Sequence, residues 1–190
     1  GTLQLLDGKT LTAAGLHPVA DGADNATAGK ASIRLRYVVA NPSSYLYFDA
    51  QRPVNLAHCR EQDRWRYGLT DPVPYVTAQG DARAFESRYF GRRVIYLLGG
   101  NDIDPNHSAL DKSCAGEAQG AFRLERGNNY FAHLQRRAKA QNLTLRHSRV
   151  EVPGVGHEAE RMFSSVCGKA ALFDTAGCDM KPGEAMTAPK

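Results

Sequence analysis

Long apolar segments alternate with amphipathic ones along most of this sequence, and that order limits the folds the chain can adopt. Three segments have the composition of buried strands, at residues 33–41, 92–100 and 143–153. Segments with apolar residues at helical spacing lie between and after them, at residues 81–90, 107–118, 128–141 and 158–172. Apolar strands separated by helices favour a parallel sheet covered on both faces. We therefore predict an α/β fold with a mainly parallel sheet covered by helices.

The remaining segments set the predicted domain boundaries. Residues 1–32 predict an N-terminal hairpin that turns at Asp-Gly, followed by a Gly- and Ala-rich linker. Residues 33–178 form the predicted α/β domain. Within it, residues 42–80 show little periodicity and indicate a long loop that is functional or pinned by a disulfide. Residues 179–190 predict a disordered tail.

Charge and hydropathy exclude two classes of partner. The net charge is +4, but the basic residues are spread along the chain and form no stripe with aromatic residues. We therefore expect no nucleic-acid partner. No apolar run approaches the roughly 20 residues that a membrane-spanning helix needs. We expect no membrane span.

The four cysteines are Cys59, Cys114, Cys167 and Cys178, and none lies in a Cys-x-x-Cys pair. That spacing argues against a zinc ribbon or a thioredoxin-like site. Cys167 and Cys178 are close in sequence and share a Gly-containing segment, so we pair them, which leaves Cys59 with Cys114. Four buried free thiols are the alternative. Disulfides would place the protein outside the cytosol, in a secreted or periplasmic location.

Candidate catalytic residues follow the predicted strands. In parallel sheets, ligands bind beyond the carboxyl ends of the strands. Asp102 follows the second strand and His157 follows the third. This is the chain order of the acid and the base in a Ser–Asp–His triad. An Asp that accepts Nδ1–H fixes the His tautomer, so that Nε2 can take a proton from a nucleophile.

Each of these residues has a simpler interpretation as well. His157 could be a structural histidine at a helix start, and Asp102 could form a turn. Asp104 is a possible substitute acid, or a cap for the following helix. Ser44 is a possible nucleophile at the end of the first strand, although "NPSSY" more readily forms a turn. Trp65 and Tyr67 in "DRWRYGL" could line a cleft or anchor the long loop.

A calcium loop is a further possibility that the spacing disfavours. Asp102, Asp104 and Asn106 imitate the start of such a loop, which needs Gly at its sixth position and Glu at its twelfth. His107 and Ser113 stand at those positions. We therefore predict no metal site, and the motifs indicate no cofactor.

Residues 33–178 resemble the C-terminal half of an α/β-hydrolase, in particular the secreted or exported esterase-like members. The resemblance rests on "RYVVANPSSYLYFD", "VIYLLGGNDIDPNHSALDKSC" and "VPGVGHEAERMFSSVCGKAALF". It implies that Asp102 is the triad acid and His157 the triad base. It also implies that residues 42–80 form a long cap-like or lid-like loop, since they stand where this family inserts a cap or lid. The implied substrate is a small or polymeric ester or amide.

The nucleophile elbow of that family, Gly-x-Ser-x-Gly, does not occur in the sequence. One hypothesis is a processed or truncated hydrolase whose serine lies on a missing segment or on a second chain. The alternative is a non-catalytic hydrolase-like module that binds a partner or ligand.

Overall fold

A four-stranded parallel sheet organises the part of the chain that the structure describes. This structure is a computed structural model, and it describes residues 3–4, 10–11, 35–78 and 80–189. In spatial order the strands are β3 (Arg36–Ala40), β4 (Arg93–Gly99), β5 (Ser148–Val152) and β6 (Ala185–Thr187), and each pair of neighbours is parallel. The predicted α/β fold class is therefore confirmed.

A short antiparallel pair precedes the sheet. It consists of β1 (Leu3–Gln4) and β2 (Thr10–Leu11), which lie within the predicted N-terminal hairpin. The predicted Asp-Gly turn and the predicted linker lie outside the described residues.

Six helices connect the strands among the described residues. They are α1 (Pro74–Thr77), α2 (Ala82–Phe90), α3 (Cys114–Glu117), α4 (Arg123–Gln141), α5 (Ala159–Ser164) and α6 (Val166–Phe173). Asp81 caps α2 as predicted, since its side chain accepts a hydrogen bond from Ala84 N. In the described part of the chain, no helix is both long and apolar enough to cross a membrane.

Three helix boundaries differ from the sequence prediction. The predicted helix 107–118 is only α3, because Asp111 N donates instead to Ser43 Oγ across the sheet edge. Helix α4 begins at Arg123 and not at residue 128. The sequence prediction missed its first turns because they bury charged side chains, whereas the pattern counts only apolar residues. The predicted helix 158–172 is broken at Ser165, which has an extended backbone and caps α6 through Gly168 N.

The sheet separates two apolar cores, and alternate residues of β4 enter each of them. One core packs helices α2 and α4 against the sheet and contains Tyr45, Tyr47, Phe90, Val94, Tyr96, Tyr130, Phe131 and Leu134. The other packs α5 and α6 and contains Ile95, Leu97, Val150, Val152, Met162 and Cys167. Strand β4 is buried on both faces, which explains why its sequence is apolar without alternation.

The prediction of a disordered tail at residues 179–190 is wrong for the residues that the structure describes. Residues Ala185–Thr187 form β6 along the edge of β5, and Ala188 N donates a 2.7 Å hydrogen bond to Glu151 O. Met186 packs against the second core and Ala188 is buried. The segment has little apolar content of its own, so its order comes from the backbone donors and acceptors of an open sheet edge.

Candidate active site

The loops that follow β4 and β5 are brought together by the register of the sheet. Gly99, the last residue of β4, is paired with Val152, the last residue of β5. The backbone of the loop after β5 approaches Gly99 closely, since a Cβ on Gly99 would lie 2.5 Å from Val155 O. Only glycine permits this approach. Asp102 and His157 therefore lie on adjacent loops at the carboxyl edge of the sheet.

The side chains of His157 and Asp102 are in direct contact. Nδ1 of His157 lies 3.0 Å from Oδ2 of Asp102. The carboxylate can only accept, so Nδ1 must carry the proton and Nε2 is on the opposite side of the ring. The Asp102 side chain is 2% exposed and that of His157 is 33% exposed. A buried carboxylate thus orients an imidazole that remains accessible from solvent, as a general base requires.

The second oxygen of Asp102 is held by a buried arginine. Nη1 of Arg123 lies 3.3 Å from Oδ1 of Asp102, and both side chains are almost completely buried. Arg123 is the first residue of α4, and Leu124 N donates to the backbone oxygen of Asp102. The start of the helix therefore binds both the side chain and the main chain of Asp102. A buried charge needs such a partner.

A second histidine lies beside the first. The rings of His107 and His157 meet edge to face with their centroids 5.1 Å apart. Nδ1 of His107 accepts from Ala109 N at 3.2 Å and faces Nη2 of Arg123 at 3.4 Å. Because Nδ1 is an acceptor, the neutral ring carries its proton on Nε2. His107 extends the cluster from His157 toward the loop that follows β4.

Asn41, at the end of β3, joins the loops on which the two residues lie. Its Oδ1 accepts from Gly99 N at 2.7 Å and its Nδ2 donates to Gly156 O at 2.9 Å. Asn41 is buried and has a left-handed backbone, with φ of 44°. Asparagine tolerates that conformation better than most residues. Gly156 immediately precedes His157, so Asn41 fixes the position of the histidine.

Sequence reasoning missed Asn41, Arg123 and His107 as parts of this site. The signal that was available for Asn41 is its position at the end of a predicted strand, where Ser44 was considered instead. Arg123 lies outside the predicted helix, and no pattern in the sequence links it to Asp102, which is 21 residues away.

The other predicted site residues have different partners. Asp104 is exposed, and its Oδ1 accepts from Asn106 N in a turn, so the structure pairs His157 with Asp102 and not with this substitute acid. Ser44 lies beside Asp111 and lines a surface cavity. In the described part of the chain, no group of three or more His, Cys, Asp or Glu side chains is placed to hold a metal ion. Asp102, the first residue of the apparent calcium loop, is instead bound to Arg123.

The long loop at residues 42–80 is attached firmly to this edge of the sheet. A disulfide joins Cys59 in the loop to Cys114 at the start of α3. The Tyr67 hydroxyl donates to Oδ2 of Asp111 at 2.8 Å. Tyr67 therefore anchors the loop beside the strand ends. The second disulfide, Cys167–Cys178, joins α6 to the segment that precedes β6.

Comparisons with known proteins support the fold. The chain matches no protein-family model and no curated protein. It is similar to the solved structure of poly(aspartic acid) hydrolase-1 from Sphingomonas sp. KT-1, with a TM-score of 0.55 and 24% identity over 73% of this chain and 44% of that one. It is also similar to LpqC, a poly(3-hydroxybutyrate) depolymerase from Bordetella parapertussis, with a TM-score of 0.57 and 24% identity over 76% of this chain and 42% of that one.

The chain has part of an α/β-hydrolase fold. Its match spans less than half the length of either solved structure. The described part of the chain contains four parallel strands with flanking helices. The resemblance seen in the sequence is thus confirmed at the level of fold.

Proposed function

We propose that this chain supplies the acid and the base of a serine-hydrolase-type site that cleaves an ester or amide. His157 is the general base and Asp102 is the acid that orients it. The observation that carries this proposal is the 3.0 Å contact between His157 Nδ1 and the buried Asp102 carboxylate, at the carboxyl ends of parallel strands.

The nucleophilic serine is placed outside this sequence in our proposal, because no Gly-x-Ser-x-Gly occurs in it. The two solved structures extend well beyond the part that this chain matches. We place the serine in sequence that corresponds to the uncovered part of those proteins, and these comparisons give no support to a separate partner chain. Residues 42–80 act as a cap over the site.

The substrate in this proposal is a polymeric ester or amide. The two similar structures are named as a hydrolase of poly(aspartic acid) and a depolymerase of poly(3-hydroxybutyrate). These names describe those proteins, and they motivate a test of polymers from both classes. The two disulfides are consistent with a secreted or periplasmic protein.

In the reaction, the serine hydroxyl attacks the carbonyl carbon of the substrate while Nε2 of His157 takes its proton. Asp102 stabilises the imidazolium that forms, and the ring then returns the proton to the leaving group. Arg123 holds Asp102 in the orientation that this requires. Water completes the cycle by the same route, which frees the acid product.

The test is turnover in the complete protein that carries the serine. His157→Ala should lower kcat by several orders of magnitude, and Asp102→Asn by about 10³-fold to 10⁴-fold. His58→Ala is the matched control, since His58 is an exposed histidine of the long loop. An unchanged kcat in His157→Ala would refute the assignment.

A non-catalytic binding module is the second candidate, and the missing nucleophile elbow is the observation that favours it. A labelled fluorophosphonate, which reacts with activated serines, separates the two candidates. Labelling of the complete protein, lost in His157→Ala, supports the enzyme. No labelling, under conditions in which a control serine hydrolase reacts, supports the module.

A further inference from the structure

An open cavity of about 460 Å³ is lined by residues from the long loop after β3 and from the loop after β4. Its lining consists of Ser43, Ser44, Arg66, Ser108, Ala109, Leu110 and Asp111. The loop that contributes Ser108 to Asp111 follows directly after His107, whose ring touches His157. The cavity is thus linked to His157 through His107, which precedes the lining residue Ser108 in the chain.

Hydrogen bonds join the two loops that form most of the cavity lining. Ser43 Oγ donates to Ala109 O at 3.0 Å and accepts from Asp111 N at 3.1 Å, which joins the loops after β3 and β4. The buried guanidinium of Arg126 donates to the backbone oxygens of both Ser43 and Asp111. Two loops from neighbouring strands are thus fixed as one surface. A preformed surface of this kind loses little entropy when it binds a ligand.

Arg66 of the long loop adds a cation to the cavity lining. The Arg66 side chain is 71% exposed, and its Nη2 lies 4.0 Å from Oδ2 of Asp111. Its position follows from its neighbour Tyr67, whose hydroxyl donates to Asp111 and accepts from Ser113 Oγ at 3.0 Å. The Cys59–Cys114 disulfide ties the same loop to the start of α3, just after Ser113.

The carboxylate of Asp111 is already supplied with donors. Oδ2 accepts from Tyr67 and Oδ1 accepts from Ser113 N at 3.0 Å. Burial by itself would raise the pKa of Asp111, but the hydrogen bonds from Ser113, Tyr67 and Ser44 together hold it below its usual value. Asp111 is therefore ionised and engaged within the protein. The Arg66 side chain, by contrast, is mostly exposed, and its Nη2 lies 3.5 Å from the Tyr67 hydroxyl.

We propose that this cavity is a substrate subsite that binds a carboxylate of the polymer beside the bond to be cleaved, with Arg66 as the cation that recognises it. A guanidinium presents paired N–H donors that match a carboxylate. Five of the seven lining residues are polar, and Ala109 and Leu110 are the apolar members. This inference rests on the proposed function, and it narrows the substrate to an acidic polymer.

Binding is tested without turnover, so that this proposal and the catalytic one can fail separately. Tetra-L-glutamate and tetra-L-glutamine, which have the same shape and differ in charge, are titrated into the purified protein by calorimetry. We expect the acidic peptide to bind at least threefold more tightly at low salt, and the preference to shrink as ionic strength rises.

Two variants test whether Arg66 is responsible for the preference for tetraglutamate over tetraglutamine. Arg66→Gln should weaken binding of tetraglutamate about threefold to tenfold and leave binding of tetraglutamine unchanged. Arg60→Gln is the matched control, since it removes an exposed cation from the same loop. Equal binding of the two peptides, or equal effects of the two variants, would overturn the subsite. Tighter binding of tetra-L-lysine than of tetraglutamate would overturn it as well, because Asp111 would then be the recognition group.

Discussion

The ion pair between Arg123 and Asp102 gives a sharp prediction for the variant Arg123→Met. Methionine keeps much of the aliphatic volume but leaves the Asp102 carboxylate buried without its arginine partner. Removing one member of a buried pair typically destabilises a protein by about 3–5 kcal/mol. His157 still binds Oδ2 of Asp102, so the lower end applies. We expect a loss of about 3 kcal/mol in the free energy of unfolding.

Urea denaturation at pH 7 measures this loss. With an m-value of about 2 kcal/mol/M, a loss of about 3 kcal/mol lowers the midpoint by about 1.5 M urea. Arg136→Met is the matched control on the same helix, because Arg136 is exposed and its removal should change stability by less than about 0.5 kcal/mol. Arg123→Lys keeps the charge and should recover part of the stability.

A double variant separates the buried charge from simple loss of packing. In Arg123→Met/Asp102→Asn no charge is left buried, so the double variant should be more stable than the sum of the two single losses predicts, by at least about 1 kcal/mol. If Arg123→Met loses no more stability than Arg136→Met, the ion pair does not hold Asp102 in place. Additivity of the two single losses would contradict the reasoning as well.

Three further outcomes are expected. Asn41→Ala removes the acceptor for Gly99 N and the donor to Gly156 O, so it should lower the free energy of unfolding by about 2–5 kcal/mol and reduce kcat in the complete protein; an unchanged kcat would contradict its positioning role. Reducing or deleting the Cys59–Cys114 disulfide, which spans 55 residues, should destabilise the protein by about 4 kcal/mol in denaturation, whereas a loss under 1 kcal/mol would show that it contributes little. Burial lowers the pKa of His147 to about 4, so between pH 6.5 and pH 4 the unfolded chain binds a proton that the folded chain excludes. The free energy of unfolding should therefore fall by about 2–3 kcal/mol as the pH is lowered over that range. The variant His147→Gln should show a smaller fall.

The candidate site could be predicted from the sequence only in its first two members. Asp102 and His157 follow apolar strands, and parallel strands end at one edge, so local pattern and a topological rule suffice to place them together. No comparable rule predicts which residues contact Asp102 and His157. Arg123 and Asn41 reach the site through the start of a helix and the end of a neighbouring strand, and charged or amide side chains in buried positions leave no hydropathy signal.

The sequence by itself determined the alternation of strands and helices, since a buried strand is a short continuous apolar run and an amphipathic helix has apolar residues at helical spacing. It also determined which strand ends carry the candidate acid Asp102 and the candidate base His157. The tertiary structure alone decided that residues Ala185–Thr187 form a strand, because β6 depends on the open edge of β5 and not on its own composition. The tertiary structure alone decided that Asp102 forms a buried ion pair with Arg123 and that Arg66 of the long loop lines a cavity. These are contacts between residues far apart in sequence, and they exist only once the chain is packed.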